Sequence, residues 1–287
     1  MNEKSCFIMG LPSAGKTTYL AALSYLLQQT DIETKLHWPS FTGDEQYFTQ
    51  LSNIWLTASQ VSRTSVAAQQ KSIDLVLTDN DDRQFRVSFP DLSGEVFQNQ
   101  LVAREISKDI ATLIEKCDGC LLFVNPQEII EPSLIADIPS SLRSHSVPEE
   151  IGSFSFSSVP TEVQLVELLQ FLVSIRDQAN LKIAIIVSAW DLILECTPES
   201  KTISTPEHFI QTRLPLLWQY LKGNDKFFSV KYYGVSAQGG ELDSDEKAEN
   251  LLREYEKCPG ERMKLIDNNG NISNDISFPL WETMIQD

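Results

Sequence analysis

The chain has 287 residues, of which 42% are hydrophobic, enough for one elaborated domain or two small ones with a substantial core. Its 40 acidic and 23 basic residues give a formal net charge of −17, which disfavours nucleic acid and anionic membranes as partners. No signal-peptide pattern and no apolar run near the roughly 18 residues of a membrane span occur, so we expect a cytoplasmic protein. The 5 cysteines complete no zinc-ligand pattern, and we expect buried thiols without disulfides.

The first motif is a loop between an apolar run and a helix-like stretch. Residues 10–17, GLPSAGKT, fit the phosphate-loop pattern G-x-x-x-x-G-K-[ST]. Gly10 and Gly15 let the backbone fold around a phosphate, so that N–H groups and the positive end of a helix face the charge. We expect Lys16 to reach the β- and γ-phosphates and Thr17 to bind Mg²⁺. The predicted nucleotide contacts here are Gly10, Ser13, Ala14, Gly15, Lys16, Thr17 and Thr18.

Hydrophobic periodicity predicts helices and strands in the first half of the chain. Residues 17–28 follow the loop as a helix, and residues 44–58 predict a second helix that is inserted before the next strand. Residues 73–77 and 85–89 alternate with a period near two around a polar turn, which predicts a β-hairpin. Apolar positions across residues 97–113 then predict one long helix.

The second half contains one stretch without sustained periodicity. Residues 126–160 hold five prolines and a serine-rich tract, which predicts a loop insertion. The other predicted elements are a strand at 121–124, a helix after Thr161, a strand at 183–187, a helix from Pro206 that Pro215 kinks or splits, a strand at 227–235 and a short helix at 280–285.

Strands that alternate with helices, plus one early hairpin, predict a three-layer α/β fold of the P-loop NTPase type. Its sheet is mostly parallel with one antiparallel edge strand, and a helical insertion follows the first helix. We expect a single domain over residues 1–287, with a helical and switch insertion at 40–65, the loop insertion at 126–160 and a charged surface insertion at 239–275. A ligand should bind at the carboxyl ends of the strands.

Short motifs at three predicted strand ends carry further chemistry. DLSG at residues 91–94 follows the hairpin and gives the pattern D-x-x-G. In that pattern Asp91 can hold Mg²⁺ through water, and Gly94 can offer a backbone N–H to a γ-phosphate. SAWD at residues 188–191 and Ser-Ala at 236–237 close two later apolar strands.

With these motifs in this order from Gly10 to Ala237, the chain resembles the translation-factor-like and Ras-like class of P-loop GTPases. The α-subunits of heterotrimeric G proteins carry a comparable helical insertion. More narrowly, GLPSAGKTTYL, FPDLSGE and a degenerate base motif look like the bacterial double-GTPase proteins of predicted conflict systems. The resemblance implies GTP binding, slow hydrolysis and switch-like control of a protein partner of unknown identity, with a second GTPase as one candidate.

The resemblance also implies residue roles. Asp191 would pair with the N1–H and the exocyclic amine of guanine, while Ser236 and Ala237 would offer backbone N–H groups to the guanine oxygen. The implied Mg²⁺ ligands are Thr17, Asp91 and Thr64, and the implied catalytic residues are Glu95, Lys16 and Arg63. Glu95 stands where Ras-like proteins have a water-orienting Gln, but it fits a helix N-terminal acid equally well. Arg63 is either an arginine finger in cis or a solvated residue before a turn.

A departure from the usual base motif keeps other functions open. Ser188 and Ala189 replace the Asn or Thr and the Lys that usually precede the base-reading Asp, so an ATP-binding or ATP-hydrolysing protein is an alternative. A small-molecule kinase is disfavoured, because the 126–160 insertion holds a single arginine, Arg143. A third hypothesis is a nucleotide-binding scaffold with negligible hydrolysis, whose partner senses the bound state.

Overall fold

The computed structural model describes residues 4–29, 32–39, 45–59, 73–90, 94–132, 159–176, 180–196 and 205–285. The strands are β1 (Lys4–Gly10), β2 (Leu36–His37), β3 (Ile73–Asp79), β4 (Gln84–Phe89), β5 (Gly119–Val124), β6 (Leu181–Ser188), β7 (Phe228–Ser236), β8 (Lys264–Ile266) and β9 (Ile272–Ser273). The α-helices are α1 (Lys16–Leu26), α2 (Glu45–Leu56), α3 (Glu95–Ala103), α4 (Lys108–Lys116), α5 (Thr161–Ile175), α6 (Trp190–Cys196), α7 (Pro206–Arg213), α8 (Pro215–Gly223), α9 (Asp245–Glu254) and α10 (Phe278–Met284). Short 3-10 helices lie at Pro126–Glu128 and Pro259–Arg262.

All the described strands join one sheet in the order β2-β3-β4-β1-β5-β6-β7-β8-β9. The central strands β4, β1, β5, β6 and β7 are parallel. One apolar cluster holds side chains of α1, α2 and α10, and a second cluster holds those of α3, α4, α5, α7 and α8. The two clusters cover the two faces of the sheet, so the predicted three-layer α/β fold is confirmed.

Antiparallel pairing occurs at both edges of the sheet, whereas the sequence predicted it at one. The predicted hairpin is present as β3 and β4, and β2 extends that edge. At the other edge β8 and β9 pair antiparallel with β7 and with each other, inside the stretch predicted as a charged surface insertion. These strands have three and two residues, which is too short for an alternating pattern to be visible.

The predicted long helix over residues 97–113 is two helices, α3 and α4. Arg104 ends α3 with a left-handed φ of 58°, and the Ser107 side chain caps α4 by accepting from the Ile110 N–H. Leu101 and Ile110 belong to the same apolar cluster. Because the buried stripe continues across the break, periodicity alone predicted one helix.

Several local predictions are confirmed. The inserted helix is α2, Thr205 caps α7 by accepting from the His208 N–H, and Pro215 begins a separate helix. Cys6, Cys117 and Cys120 are buried free thiols as expected, whereas the free thiol of Cys258 is exposed. Burial raises the pKa of Cys117 to about 11. Within the described segments no helix is long and apolar enough to cross a bilayer. Most of the predicted loop insertion, residues 133–158, lies outside the described residues.

Candidate nucleotide-binding site

The phosphate-loop motif has the strand-loop-helix setting that its pattern requires, since β1 ends at Gly10 and α1 begins at Lys16. The Ala14 N–H donates to the Leu11 carbonyl at 3.2 Å, which closes a tight turn inside the loop. Gly15 has a left-handed φ of 92°, and a methyl group there would lie 2.9 Å from the Ser188 side chain. Only glycine therefore fits at this position.

The Lys16 side chain folds back over this loop. It is 2% exposed, and its Nζ donates to the carbonyls of Gly10 at 2.8 Å and Leu11 at 3.0 Å. The ammonium thus lies at the N-terminal end of α1, where the helix dipole also favours an anion. Thr17 and Thr18 occupy the first turn of the same helix.

The glycine of the D-x-x-G motif lies directly against the phosphate loop. Gly94 has a φ of 82°, and a methyl group there would lie 2.5 Å from backbone atoms of Leu11 and Pro12. α3 therefore starts beside the loop, with exposed Glu95 as its first residue.

A cavity of about 440 Å³ connects the phosphate loop to the ends of β5, β6 and β7. Parallel pairing of these strands brings their carboxyl ends to one edge, as the sequence predicted. The predicted site residues that line the cavity are Ser13, Gly15, Thr18, Asp191 and Ala237. The cavity is therefore bordered both by predicted phosphate-binding residues and by predicted base-binding residues.

Asp191 lies in the first turn of α6, at the far end of the cavity. Burial raises the pKa of its carboxyl above the ordinary value. A hydrogen bond with the Ser236 side chain acts in the opposite direction, but burial has the larger effect. Ala189, two residues earlier, has a left-handed φ of 48°. The adjacent Trp190 is 2% exposed and packs on Gly234, where a methyl group would lie 2.4 Å from its ring. The buried tryptophan anchors this turn while Asp191 borders the cavity.

Sequence reasoning missed Asn125 and Gln127, which line the cavity directly after β5. The Asn125 Nδ2 donates to the Ser13 carbonyl at 2.9 Å, and its Oδ1 accepts from the Gln127 N–H at 3.0 Å. The Asn125 side chain therefore ties the loop after β5 to the phosphate loop. A signal was available, because a polar residue that ends a buried strand next to β1 belongs at the ligand-binding edge.

The loop after β7 supplies further cavity-lining residues that the sequence did not single out, namely Gln238, Gly240, Glu241, Leu242 and Asp243. Lys247 donates to the carboxylates of Glu241 at 2.6 Å and Asp243 at 2.9 Å. These exposed pairs partly neutralise the acidic mouth of the cavity.

The structure does not bring all predicted residues together. Arg63, Thr64 and Asp91 lie outside the described residues, so Thr17 is the one predicted Mg²⁺ ligand that can be placed. The described residues contain no cluster of three or more His, Cys, Asp or Glu side chains suited to a metal ion. A hydroxyl at a phosphate loop fits a metal that is shared with the nucleotide's own phosphates, a binding mode that needs no such cluster.

A family model described as Double-GTPase 1 matches residues 7–283. The chain belongs to the Double-GTPase 1 family. This membership agrees with the phosphate loop, the Gly94 contact and the Asp191 turn described above, and it places the chain among the P-loop GTPases, whose general activity is nucleotide binding and hydrolysis. A comparison with curated protein sequences finds no significant match to this Double-GTPase 1 chain.

Solved structures of other GTPases are similar to this Double-GTPase 1 chain at low identity. A bacterial selenocysteine-specific elongation factor, EF-Sec, is 14% identical with a TM-score of 0.39, over 88% of this chain and 29% of that one. The Ski7 GTPase-like domain of S. cerevisiae bound to GTP is 13% identical with a TM-score of 0.40, over 85% of this chain and 45% of that one. The SRb-GTP/SRX complex of Chaetomium thermophilum gives 15% identity and a TM-score of 0.42, over 88% and 99%. The chain thus spans less than half the length of the first two.

Proposed function

We propose that this chain is a Mg²⁺-dependent, slowly hydrolysing GTP switch that acts on a protein partner. One observation carries the proposal: a single cavity runs from the phosphate loop, at Ser13 and Gly15, to the half-buried carboxyl of Asp191. The two ends offer what the two ends of GTP require, namely cationic and N–H donors for phosphates and a carboxylate acceptor for the base.

At the phosphate end, the loop N–H groups and Lys16 hold the β- and γ-phosphates. Thr17 would hold Mg²⁺ there, with Asp91 and Thr64 as the further proposed ligands. When bound, the metal would offset charge on the phosphate oxygens. The buried position of Lys16 supports this role, because its interaction with phosphate is screened little by water.

At the base end, Asp191 accepts hydrogen bonds from the N1–H and exocyclic amine of guanine. Adenine presents an unprotonated N1 at that edge, so its lone pair would face the carboxylate. The hydroxyl of Ser236 holds Asp191 through a hydrogen bond, and the backbone N–H groups of residues 236 and 237 serve the guanine oxygen. Guanine selectivity in this proposal comes from one carboxylate and its hydroxyl partner.

Glu95 is the proposed water-orienting residue, and Arg63 the proposed arginine finger in cis. The Gly94 contact with the phosphate loop supports Glu95, because it starts α3 beside the place where the γ-phosphate binds. A carboxylate in this position adds negative charge near the γ-phosphate, which favours slow turnover. A slow rate suits a switch, since the bound state then lasts long enough for a partner to sense it.

The proposed partner is another protein, and a second GTPase chain is the candidate that the family description supports. The insertions at residues 44–61 and 126–160 are the proposed partner surfaces, because segments on a rigid nucleotide-binding core can change order with the γ-phosphate. The net charge of −17 argues against nucleic acid and anionic membranes and is compatible with action in the cytoplasm of a bacterial conflict system.

The test is Mg²⁺-dependent binding of a fluorescent GTP analogue to the purified protein, with unlabelled GTP and ATP as competitors. We expect GTP to compete at least about tenfold better than ATP, and D191A to remove that preference. D225A, which alters an exposed aspartate on the loop before β7, is the matched control. Equal or better competition by ATP in the unaltered protein overturns the guanine assignment and supports the ATP alternative that Ser188 and Ala189 leave open.

Single-turnover hydrolysis of bound GTP separates the switch from the scaffold. A measurable Mg²⁺-dependent rate supports the GTPase. Tight binding with no turnover over the lifetime of the complex supports a scaffold whose partner senses nucleotide occupancy alone.

A further inference from the structure

The last turn of the inserted helix α2 reaches the loop that lines the base end of the cavity. Trp55 is fully buried, and its Nε1–H donates to the Ala237 carbonyl at 2.7 Å. Ala237 lines the cavity directly after Ser236, the hydroxyl partner of Asp191. One hydrogen bond thus joins the insertion to the base-binding loop, here defined as residues 236–239.

Arg262 lies against the same tryptophan. Its guanidinium carbon is 3.6 Å from the centre of the Trp55 ring, and its Nη2 donates to the Trp55 carbonyl. The side chain is 1% exposed, and burial lowers its pKa to about 10, so it still carries its charge at neutral pH. Its Nε has no hydrogen-bond partner in the described part of the chain. A buried cation held mainly by an aromatic face is costly, so a positional role explains its presence better than stability does.

The backbone of Arg262 lies against the base-binding loop. Gly239 has a φ of 85°, and a methyl group there would lie 2.5 Å from the Arg262 carbonyl oxygen. The Gly239 N–H donates to the Ser236 Oγ at 3.1 Å, which ties the end of the loop to its start. A hydrogen bond therefore holds the loop to Trp55 at Ala237, and the loop packs against the backbone of Arg262 at Gly239.

We propose that Trp55 and Arg262 are positioning residues that hold the base-binding loop, so that docking of α2 and binding of the base stabilise each other. This inference rests on the proposed guanine-nucleotide site. Neither residue needs to touch the nucleotide, because both act through residues 236–239. By linkage, whatever moves α2 changes base affinity, and base binding favours the docked helix by the same factor.

The decisive variant is W55F, which keeps an aromatic ring against Arg262 and Tyr25 but removes the N–H that holds Ala237. W218F is the matched control, because Trp218 packs in the cluster on the other face of the sheet and its N–H donates to Glu207 at 3.3 Å. The readouts are the release rate of a fluorescent GTP analogue, competition by inorganic tripolyphosphate, and amide hydrogen exchange of residues 236–240 without nucleotide.

We expect W55F to release the GTP analogue about fivefold faster and to exchange residues 236–240 faster, with tripolyphosphate competition unchanged. Tripolyphosphate has no base, so a loss confined to the base end leaves it unaffected. W218F should match the unaltered protein in all three readouts. Unchanged release and exchange in W55F overturn the proposal, as does an equal loss for GTP and tripolyphosphate with faster exchange throughout α1.

The failure of this inference and the failure of the proposed function give different results. If the unaltered protein binds no guanine nucleotide, the proposed function fails whatever W55F does, and this inference, which rests on it, fails too. If the unaltered protein binds the GTP analogue but W55F changes neither its release rate nor the exchange of residues 236–240, the inference alone fails and the proposed function stands.

Discussion

The two ends of the candidate site are built in different ways. The phosphate end comes from one continuous stretch, in which β1, a loop and α1 hold Lys16 against the Gly10 and Leu11 carbonyls. The base end is assembled from separate loops after β5, β6 and β7, and α2 supports it from outside the sheet. In the proposed site, a continuous motif would set the affinity for phosphate, which all nucleoside triphosphates share, while selectivity would depend on contacts between distant segments.

The largest effect should come from breaking the phosphate end with K16A. This change removes a buried ammonium that is proposed to bind the β- and γ-phosphates, and such charge-assisted bonds are strong. We expect GTP and ATP affinity both to fall at least about a hundredfold, measured by titration of fluorescent analogues. K116A, which removes an exposed lysine at the end of α4, is the control and should bind normally. Retained tight binding by a folded K16A protein would contradict the phosphate-loop assignment.

The next effect concerns chemistry at the junction of the loop with α3. We expect E95A to slow single-turnover GTP hydrolysis about a hundredfold while leaving affinity within about twofold, because the proposed role of Glu95 is to orient water and not to bind the nucleotide. D109A is an informative control, since Asp109 is an exposed acid in the first turn of α4, far along the chain from the D-x-x-G motif. If Glu95 were only a helix N-terminal acid, E95A and D109A would lower thermal stability alike and leave the rate unchanged.

The difference between the continuous phosphate end and the assembled base end also explains which features the sequence predicted. The strand-loop-helix setting of the phosphate loop was predicted correctly, because pattern and geometry coincide within a few residues around Gly15 and Lys16. The sheet and most helices followed from periodicity, and Asp191 and Ser236 were placed at strand ends by the rule that parallel strands share an edge. These predictions needed only local patterns and one topological rule.

What the sequence did not predict depends on contacts between distant positions. The Asn125 bond to Ser13 and the Trp55 bond to Ala237 join residues 112 and 182 positions apart, and neither side chain has a local signature. The break at Arg104 was hidden because one apolar stripe spans both helices. β8 and β9 were hidden by their length. Tertiary contacts decided each of these features.

A smaller effect, confined to base recognition, should come from lowering the pH so that the Asp191 carboxylate is protonated. Burial raises the pKa of Asp191 above its ordinary value of 3.8, so its carboxylate is protonated at a higher pH than an exposed one. In the proposed site the ionised form accepts from guanine, so GTP affinity should be full above this pKa and fall as pH drops through it. We expect GTP to lose up to about tenfold of its advantage over ATP as the pH is lowered from neutrality through this pKa.

Competition at each pH measures this ratio, and ATP corrects for titration of the phosphates themselves. D191N cannot titrate, so its GTP-to-ATP ratio should be flat across the same range. A ratio in the unaltered protein that does not change with pH, or one that changes equally in D191N, would show that another group governs base recognition.

The smallest predicted effect is at the join between the two ends. N125A removes the side-chain amide that donates to the Ser13 carbonyl. Ser13 belongs to the phosphate loop and has a left-handed φ of 60°. One such hydrogen bond contributes about 1 kcal/mol, so we expect affinity for GTP and ATP to fall about fivefold together, since the bond holds the loop and not the base. N224A, which removes an amide bonded to the Tyr220 carbonyl at 2.8 Å near the end of α8, should leave both affinities unchanged. A loss confined to GTP would instead mean that Asn125 acts at the base end, and the division between a continuous phosphate end and an assembled base end would need to be redrawn at this residue.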